Sequence, residues 1–262
     1  MNSLLELDMS FDARLQQEYH EQIVWISGVG QGIGLAAAQR FHALGAKVIG
    51  FDRQFSDLSV LHRAVECDLS APELLAQQLD KLVAEGLAPY NLINVAGVLE
   101  LGDLEQLTLA QWQHCQTVNS TAVFTFLRAC TPHFKQQGKG AVVTVGSNAA
   151  DTPRQQMAAY CASKAAVTQL TLTAGLELAN FGVRCNVIAP GSTLTPMQTG
   201  MWQDEKGAQR VIDGFAAQYK LGIPLQKLAT AEEIADSIVF VASSLSSHTT
   251  LQVITLDGGA TF

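Results

Sequence analysis

Ile23-Val24-Trp25-Ile26-Ser27-Gly28-Val29-Gly30-Gln31-Gly32-Ile33-Gly34 decides the fold. An apolar, strand-like run passes directly into a glycine-rich turn, and the turn opens a helical pattern over about Ile33 to Leu44. Glycines let the backbone turn tightly and approach a pyrophosphate, while free N–H groups at the helix N-terminus offer it the positive end of the dipole. A lone glycine turn is weak evidence, but this one has the strand-turn-helix context that a dinucleotide site requires. The next strand, Lys47 to Phe51, ends at Asp52, 24 positions after Gly28. A carboxylate there accepts hydrogen bonds from an adenosine ribose and repels a 2′-phosphate, so NAD is expected over NADP. Arg53 pulls the other way, since it could pair with such a phosphate, and Asp52 could also merely cap a turn.

Outward from this unit, strand and helix patterns alternate. A short strand near Val65 and a helix after Pro72 precede the apolar run Leu92-Ile93-Asn94-Val95. A long helical region follows from about Ala110 to Gln137, with a break expected near Gly102 to Leu109 and stress at Pro132. Ala141 to Val145 reads as a fully buried strand, Ala158 to Asn180 as a helix and Val183 to Ile188 as another strand. Residues 190 to about 220 are rich in glycine and proline and read as an irregular lid over an active site. A helix from about Ala231 to Ser243 and the strand Val253 to Leu256 close the pattern. Short β runs separated by helices imply right-handed crossovers. The expected fold is a single-domain α/β, Rossmann-like, doubly wound parallel sheet of about seven strands over 21–262. Residues 1–20 form an N-terminal extension, with Leu4, Leu5 and Leu7 as candidate docking contacts.

Bulk properties narrow the function. The 262 residues suit one domain with an ample core, at 48% hydrophobic content. A net charge of -8, with only 16 Lys and Arg spread thinly, argues against a nucleic-acid partner. Five cysteines without a C-x-x-C pair suggest reduced packing residues in a cytoplasmic protein, and the six scattered histidines imply no metal. No apolar run approaches the length of a membrane span, and Glu6, Asp8 and Asp12 stand where a signal peptide would be basic.

The candidate chemistry lies at Ala159-Tyr160-Cys161-Ala162-Ser163-Lys164, with Ser147 thirteen positions before the tyrosine. Helical positions i and i+4 share a face, so the Lys164 ammonium is expected to favour a Tyr160 phenolate, and Ser147 to hold a substrate hydroxyl against it. Taken alone, the pair also fits an ordinary surface helix.

The glycine turn, Asn94-Val95-Ala96-Gly97, Asn119, Ser147, Tyr160, Lys164 and Pro190-Gly191 together follow the order and spacing of the short-chain dehydrogenase/reductase family, which the chain resembles from residue 20 onward. The resemblance implies a catalytic tetrad of Asn119, Ser147, Tyr160 and Lys164, with Asn119 anchoring a water through which Lys164 exchanges protons. It implies NAD contacts from Ser27, Gly28, Gly30, Gln31, Gly32, Ile33, Gly34, Asp52, Arg53, Asp68, Leu69, Asn94, Ala96, Gly97, Pro190, Gly191, Thr193 and Thr195, besides Tyr160 and Lys164. A homotetramer is also implied. Ser27 replaces the usual threonine, Val95 the second asparagine of N-N-A-G, and Gly146 a frequent serine; none is a catalytic group.

Within that family, Ala149 to Arg154, Pro190 to Gln198 with Trp202, and Tyr219 to Leu225 resemble members that oxidise a cyclic dihydrodiol carboxylate to a catechol acid for siderophores. A small acidic substrate would suit Arg154, whose guanidinium can bind a carboxylate through two parallel hydrogen bonds, though a solvent-facing arginine reads as well. Lys206, Arg210 and Lys220 are the other cations at hand, and Met157, Met197 and Trp202 could wall the ring. A 3-oxoacyl-carrier-protein reductase and a non-catalytic nucleotide-binding module remain as rival readings. Asp52 and the acidic charge weigh against the first, and the intact tetrad against the second.

Overall fold

The computed structural model describes residues 10–261, so Leu4, Leu5 and Leu7 lie outside the described residues. Helix α1 (Phe11–Tyr19) is capped by the Ser10 hydroxyl, which accepts from the Ala13 N–H. It buries Leu15 and Tyr19 in the core; the Tyr19 hydroxyl accepts from Asn91 Nδ2 at 3.1 Å, and its ring meets Phe41 edge-on at 5.0 Å.

From there the chain runs β1 (Ile23–Ser27), α2 (Gly32–Ala43), β2 (Lys47–Asp52), β3 (Arg63–Glu66), α3 (Pro72–Ala84), β4 (Asn91–Asn94), α4 (Leu109–Gln116), α5 (Ala122–Gln137), β5 (Gly140–Val145), α6 (Ala158–Leu178), β6 (Val183–Pro190), α7 (Pro196–Thr199), α8 (Gly207–Asp213), α9 (Ala231–Ala242) and β7 (Val253–Leu256). The strands pair in parallel in the order β3-β2-β1-β4-β5-β6-β7. Helices α2 and α9 pack together on one face and α3, α5 and α6 on the other. Strand residues feed the faces alternately: Val24, Ile26 and Val48 join the α2–α9 cluster, and Trp25, Ile49 and Phe51 the opposite one. With both faces covered, the central strands β1, β2, β4, β5 and β6 are mostly buried and read as near-continuous apolar runs, whereas the edge strand β3 alternates. The direction of winding reverses between β1 and β4, and such a switch point leaves a crevice at the carboxyl ends of the strands.

Two segments differ from expectation. The region before α5 is helical but not uniform: a π-helical turn, Thr117–Thr121, sits between α4 and α5. Pro132 lies inside α5 without ending it, because Phe126, Leu127, Cys130 and Phe134 anchor the helix around it in the core. The segment over 190–220 is also more regular than its glycines and prolines suggest. Pro196 starts α7 where a missing N–H costs nothing, and the Thr195 hydroxyl caps it by accepting from the Gln198 N–H. No helix among the described residues is long and apolar enough to cross a membrane.

Candidate active site

The crevice at the switch point is a cavity of about 1010 Å³. Its dinucleotide end is built by the turn between β1 and α2. Gly28 has φ +79, and a Cβ there would sit 2.8 Å from the Ala96 backbone. A Cβ on Gly34 would sit 2.0 Å from the Gly28 carbonyl oxygen, so only glycine lets α2 approach β1 this closely. Gln31 offers no side-chain cap, which leaves the first N–H groups of α2 for a ligand. Asp52 Oδ2 accepts from the Gly30 N–H at 2.8 Å and Oδ1 from the Arg53 N–H at 2.7 Å, so the carboxylate is fixed at the mouth of the turn. Asp68 is held by the Ser70 N–H and hydroxyl, both at 2.8 Å, and these bonds keep its carboxyl below the usual range.

Gly28, Gly30, Gln31, Gly32, Ile33, Gly34, Asp52, Arg53, Asp68, Leu69, Ala96, Gly97, Pro190, Gly191, Thr193 and Thr195 all line the cavity, as expected of a NAD cradle. Ser27, Asn94 and Asn119 do not; each is buried beneath it. The Ser27 hydroxyl accepts from the N–H groups of Val95 (3.1 Å) and Ala96 (3.3 Å), which ties the end of β1 to the chain leaving β4. Asn94 Nδ2 donates to Thr144 Oγ1 at 3.3 Å. Asn119, in the π-turn, accepts from the Val98 N–H at 2.8 Å and donates to the Val98 carbonyl and to Ser163 Oγ, each at 2.9 Å. Its side chain therefore braces the strand-to-loop transition against α6, and the three residues shape the site from below.

At the other end, Ser147 follows β5, while Tyr160 and Lys164 rise from α6 one turn apart; all three line the cavity. Lys164 Nζ is buried, donates to the Val145 carbonyl at 2.9 Å and lies 5.8 Å from the Tyr160 ring centroid. Gly97 makes room for it, since a Cβ there would come within 3.4 Å of Nζ. The electrostatics correct the reading from spacing alone. Burial pushes the Tyr160 phenol up to about 12, offset in part by the nearby Ser147 hydroxyl, and burial pulls Lys164 down to about 8. Desolvation disfavours both charged forms and outweighs the attraction expected between them. Burial thus favours the neutral forms of both groups.

Arg154, Met157, Met197 and Trp202 line the cavity beside Tyr160. The Trp202 ring packs on the start of α8, where a Cβ on Gly207 would meet it at 2.2 Å, so that glycine is what admits the indole. Arg154 has neither an ion pair nor a side-chain hydrogen bond among the described residues. The sequence reading missed Val98, Leu99 and Leu101, which extend the wall directly beyond Gly97, and Asn148, whose Nδ2 donates to Asp257 at 3.1 Å. The first three were signalled by adjacency to the Asn94–Gly97 segment; nothing local marks a pairing across more than a hundred residues.

A parallel sheet with a switch-point glycine cradle and a Ser, Tyr and Lys cluster defines a nicotinamide-dependent oxidoreductase fold and site. A family model described as "Enoyl-(Acyl carrier protein) reductase" matches residues 28–261, and the chain belongs to that family of short-chain dehydrogenases/reductases. It is 46% identical over 91% of its length to 96% of a 2,3-dihydro-2,3-dihydroxybenzoate dehydrogenase of Escherichia coli (strain K12). It is 39% identical over 92% of its length to 96% of the protein of that name in Bacillus subtilis (strain 168). A vibriobactin-specific 2,3-dihydro-2,3-dihydroxybenzoate dehydrogenase of Vibrio cholerae is 36% identical, with 91% of this chain and 95% of that one covered. Among solved structures, the fold is similar to a 4-hydroxyisoleucine dehydrogenase complexed with NADH, with a TM-score of 0.84 and 25% identity over 92% of this chain and 99% of that one.

Proposed function

We propose that the protein oxidises 2,3-dihydro-2,3-dihydroxybenzoate to 2,3-dihydroxybenzoate with NAD, for the making of a catechol siderophore. The observation that carries this reading is the guanidinium of Arg154, which has no ion pair among the described residues and lines the cavity that also holds Ser147, Tyr160 and Lys164. The relatives named for this reaction support it.

Bound in the glycine cradle, NAD supplies the acceptor for the hydride that leaves C3 of the substrate. Ser147 holds the C3 hydroxyl and Tyr160 takes its proton. Burial favours the phenol form of Tyr160, so the proton it takes is matched by one that its hydroxyl passes out through the cavity to solvent, and the positive charge of Lys164 beside it eases this passage. Arg154 holds the carboxylate, which fixes the ring so that C3 and no other carbon faces Tyr160. The C3 ketone then loses its C2 proton as it enolises, and aromatisation drives the oxidation forward. The wall of Met157, Met197 and Trp202 keeps water from the ring. We further propose a cytoplasmic homotetramer. Phe124 on α5 (49% exposed) and Leu176 on α6 (69% exposed) provide apolar surface for its interfaces.

The decisive comparison is turnover of the dihydrodiol acid with NAD against turnover of a 3-oxoacyl thioester with NADPH. The acid should dominate by orders of magnitude; preference for the thioester would sink the assignment. Cofactor choice follows Asp52. The wild type should prefer NAD to NADP by at least tenfold in kcat/KM, on the order of 1.4 kcal/mol, and Asp52→Ser should erase most of that preference. Equal use of both cofactors by the wild type would show that Arg53, not Asp52, sets the choice.

A further inference from the structure

Five lysine and arginine side chains line the cavity: Arg53, Arg154, Lys164, Arg210 and Lys220. Arg53 stands with Asp52 at the dinucleotide end, Lys164 donates to Val145, and Arg210 is paired with Asp204 at 2.8 Å. Arg154 and Lys220 alone remain at the substrate end with no ion pair or side-chain hydrogen bond among the described residues. They approach from different walls, Arg154 from the loop between β5 and α6, and Lys220 from the lid after α8.

A lysine on a lid ordinarily swings into water. This one is held. Phe215 and Lys220 form an antiparallel bridge in which the Phe215 N–H donates to the Lys220 carbonyl at 2.9 Å and the Lys220 N–H to the Phe215 carbonyl at 3.1 Å. The loop they close turns through Tyr219 at φ 57, a left-handed conformation that a non-glycine residue seldom adopts. Tyr219 is 86% exposed, whereas Lys220 beside it lines the cavity, with Nζ 5.5 Å from the Phe215 ring centroid. Gly214 and Gly222 let the two arms of the loop abut, because a Cβ on either would meet backbone of the other arm at 2.5 and 2.4 Å. Both cations line the one cavity, and burial, with the charge of Arg154 adding to the effect, lowers the Lys220 ammonium below its ordinary value. The carboxylate that Arg154 feels most is Asp257, but its oxygens are already taken by Asn148, Thr261 and the Gly259 N–H. Partly buried like charges without a counter-ion carry a cost that an anionic ligand removes.

We infer that Lys220 is a specificity-determining residue that touches the substrate: with Arg154 it clamps the carboxylate from two sides, Arg154 through its fork and Lys220 from the lid. This inference rests on the proposed reading of the site and names a group that reading does not need.

The test compares wild type, Lys220→Met and Lys220→Arg in two measurements. In the first, kcat/KM is measured for the dihydrodiol acid and for the matching dihydrodiol lacking the carboxylate. The acid-over-neutral preference should fall roughly 10–100-fold in Lys220→Met, mainly through KM, and be largely restored in Lys220→Arg. In the second, binding of 2,3-dihydroxybenzoate and of catechol to the NAD-loaded enzyme is measured by titration, without turnover. Lys220→Met should lose the preference for the acid there as well. An unchanged acid-over-neutral ratio in both measurements, or a ratio restored equally well by methionine and arginine, would overturn the clamp. Failure of the wild type to oxidise the acid, with the binding preference still dependent on Lys220, would overturn the assigned reaction and leave the clamp standing.

Discussion

Tyr160→Phe should lower kcat by about 10²–10⁴-fold, the usual contribution of a positioned proton acceptor, and leave NAD affinity within a few-fold of wild type. Phenylalanine keeps the ring, its packing and its place one turn before Lys164, so the only group removed is the hydroxyl that takes the substrate proton. Tyr160 shares the cavity with Ser147 and Lys164, and burial favours the neutral forms of Tyr160 and Lys164 alike. His114 also lines the cavity, but its Nδ1 faces Glu100 at 2.9 Å on the wall beyond Gly97. A Tyr160→Phe variant that kept more than about a tenth of wild-type turnover would mean that another base operates.

Arg154→Ala carries the second large effect. If the guanidinium grips the carboxylate, its removal should cost about 2–4 kcal/mol in kcat/KM for the dihydrodiol acid, the range for a charge-assisted pair shielded from solvent. The loss should appear chiefly in KM, while NAD binding is retained. A ring alcohol without the carboxylate should lose far less, because a mutation that merely loosened the loop between β5 and α6 would penalise both substrates alike. Equal losses would assign Arg154 a role in shaping the loop. The order of effects is informative too: Tyr160→Phe should strike acid and neutral substrates equally, and Arg154→Ala should not.

The parts of this site that could be read from sequence are those written in short spacings. Gly28 to Gly34 announce a strand-turn-helix, Asp52 terminates the next strand, and Tyr160 and Lys164 share a helix face because the helical period puts them there. The lining of the cavity follows these spacings closely. Other features depend on neighbours distant in the chain. That Ser27 and Asn94 would lie under the cradle was invisible, because it follows from bonds between β1, β4 and β5 that close only when the sheet forms. Asn119 reads as a residue on a continuous helix, yet the π-turn around it turns its side chain onto Val98 and Ser163. The burial that raises Tyr160 is hidden from the sequence for a related reason: residue spacing tells how close two charges are, but only the folded chain tells how little water surrounds them. That Arg154 and Lys220 have no ion pair among the described residues belongs to the same class, since it is recognised only once the carboxylates near them have been assigned partners.

The central claim is that this site moves hydride from C3 of the dihydrodiol acid to NAD while Tyr160 takes the proton of the adjoining hydroxyl. Its most direct test is oxidation of 2,3-dihydro-2,3-dihydroxybenzoate deuterated at C3, with the label followed into cofactor and product. The account predicts one reduced cofactor for each 2,3-dihydroxybenzoate formed, with the deuterium in that cofactor. Deuterium retained in the catechol ring or released to solvent, or catechol formed without reduction of NAD, would contradict it.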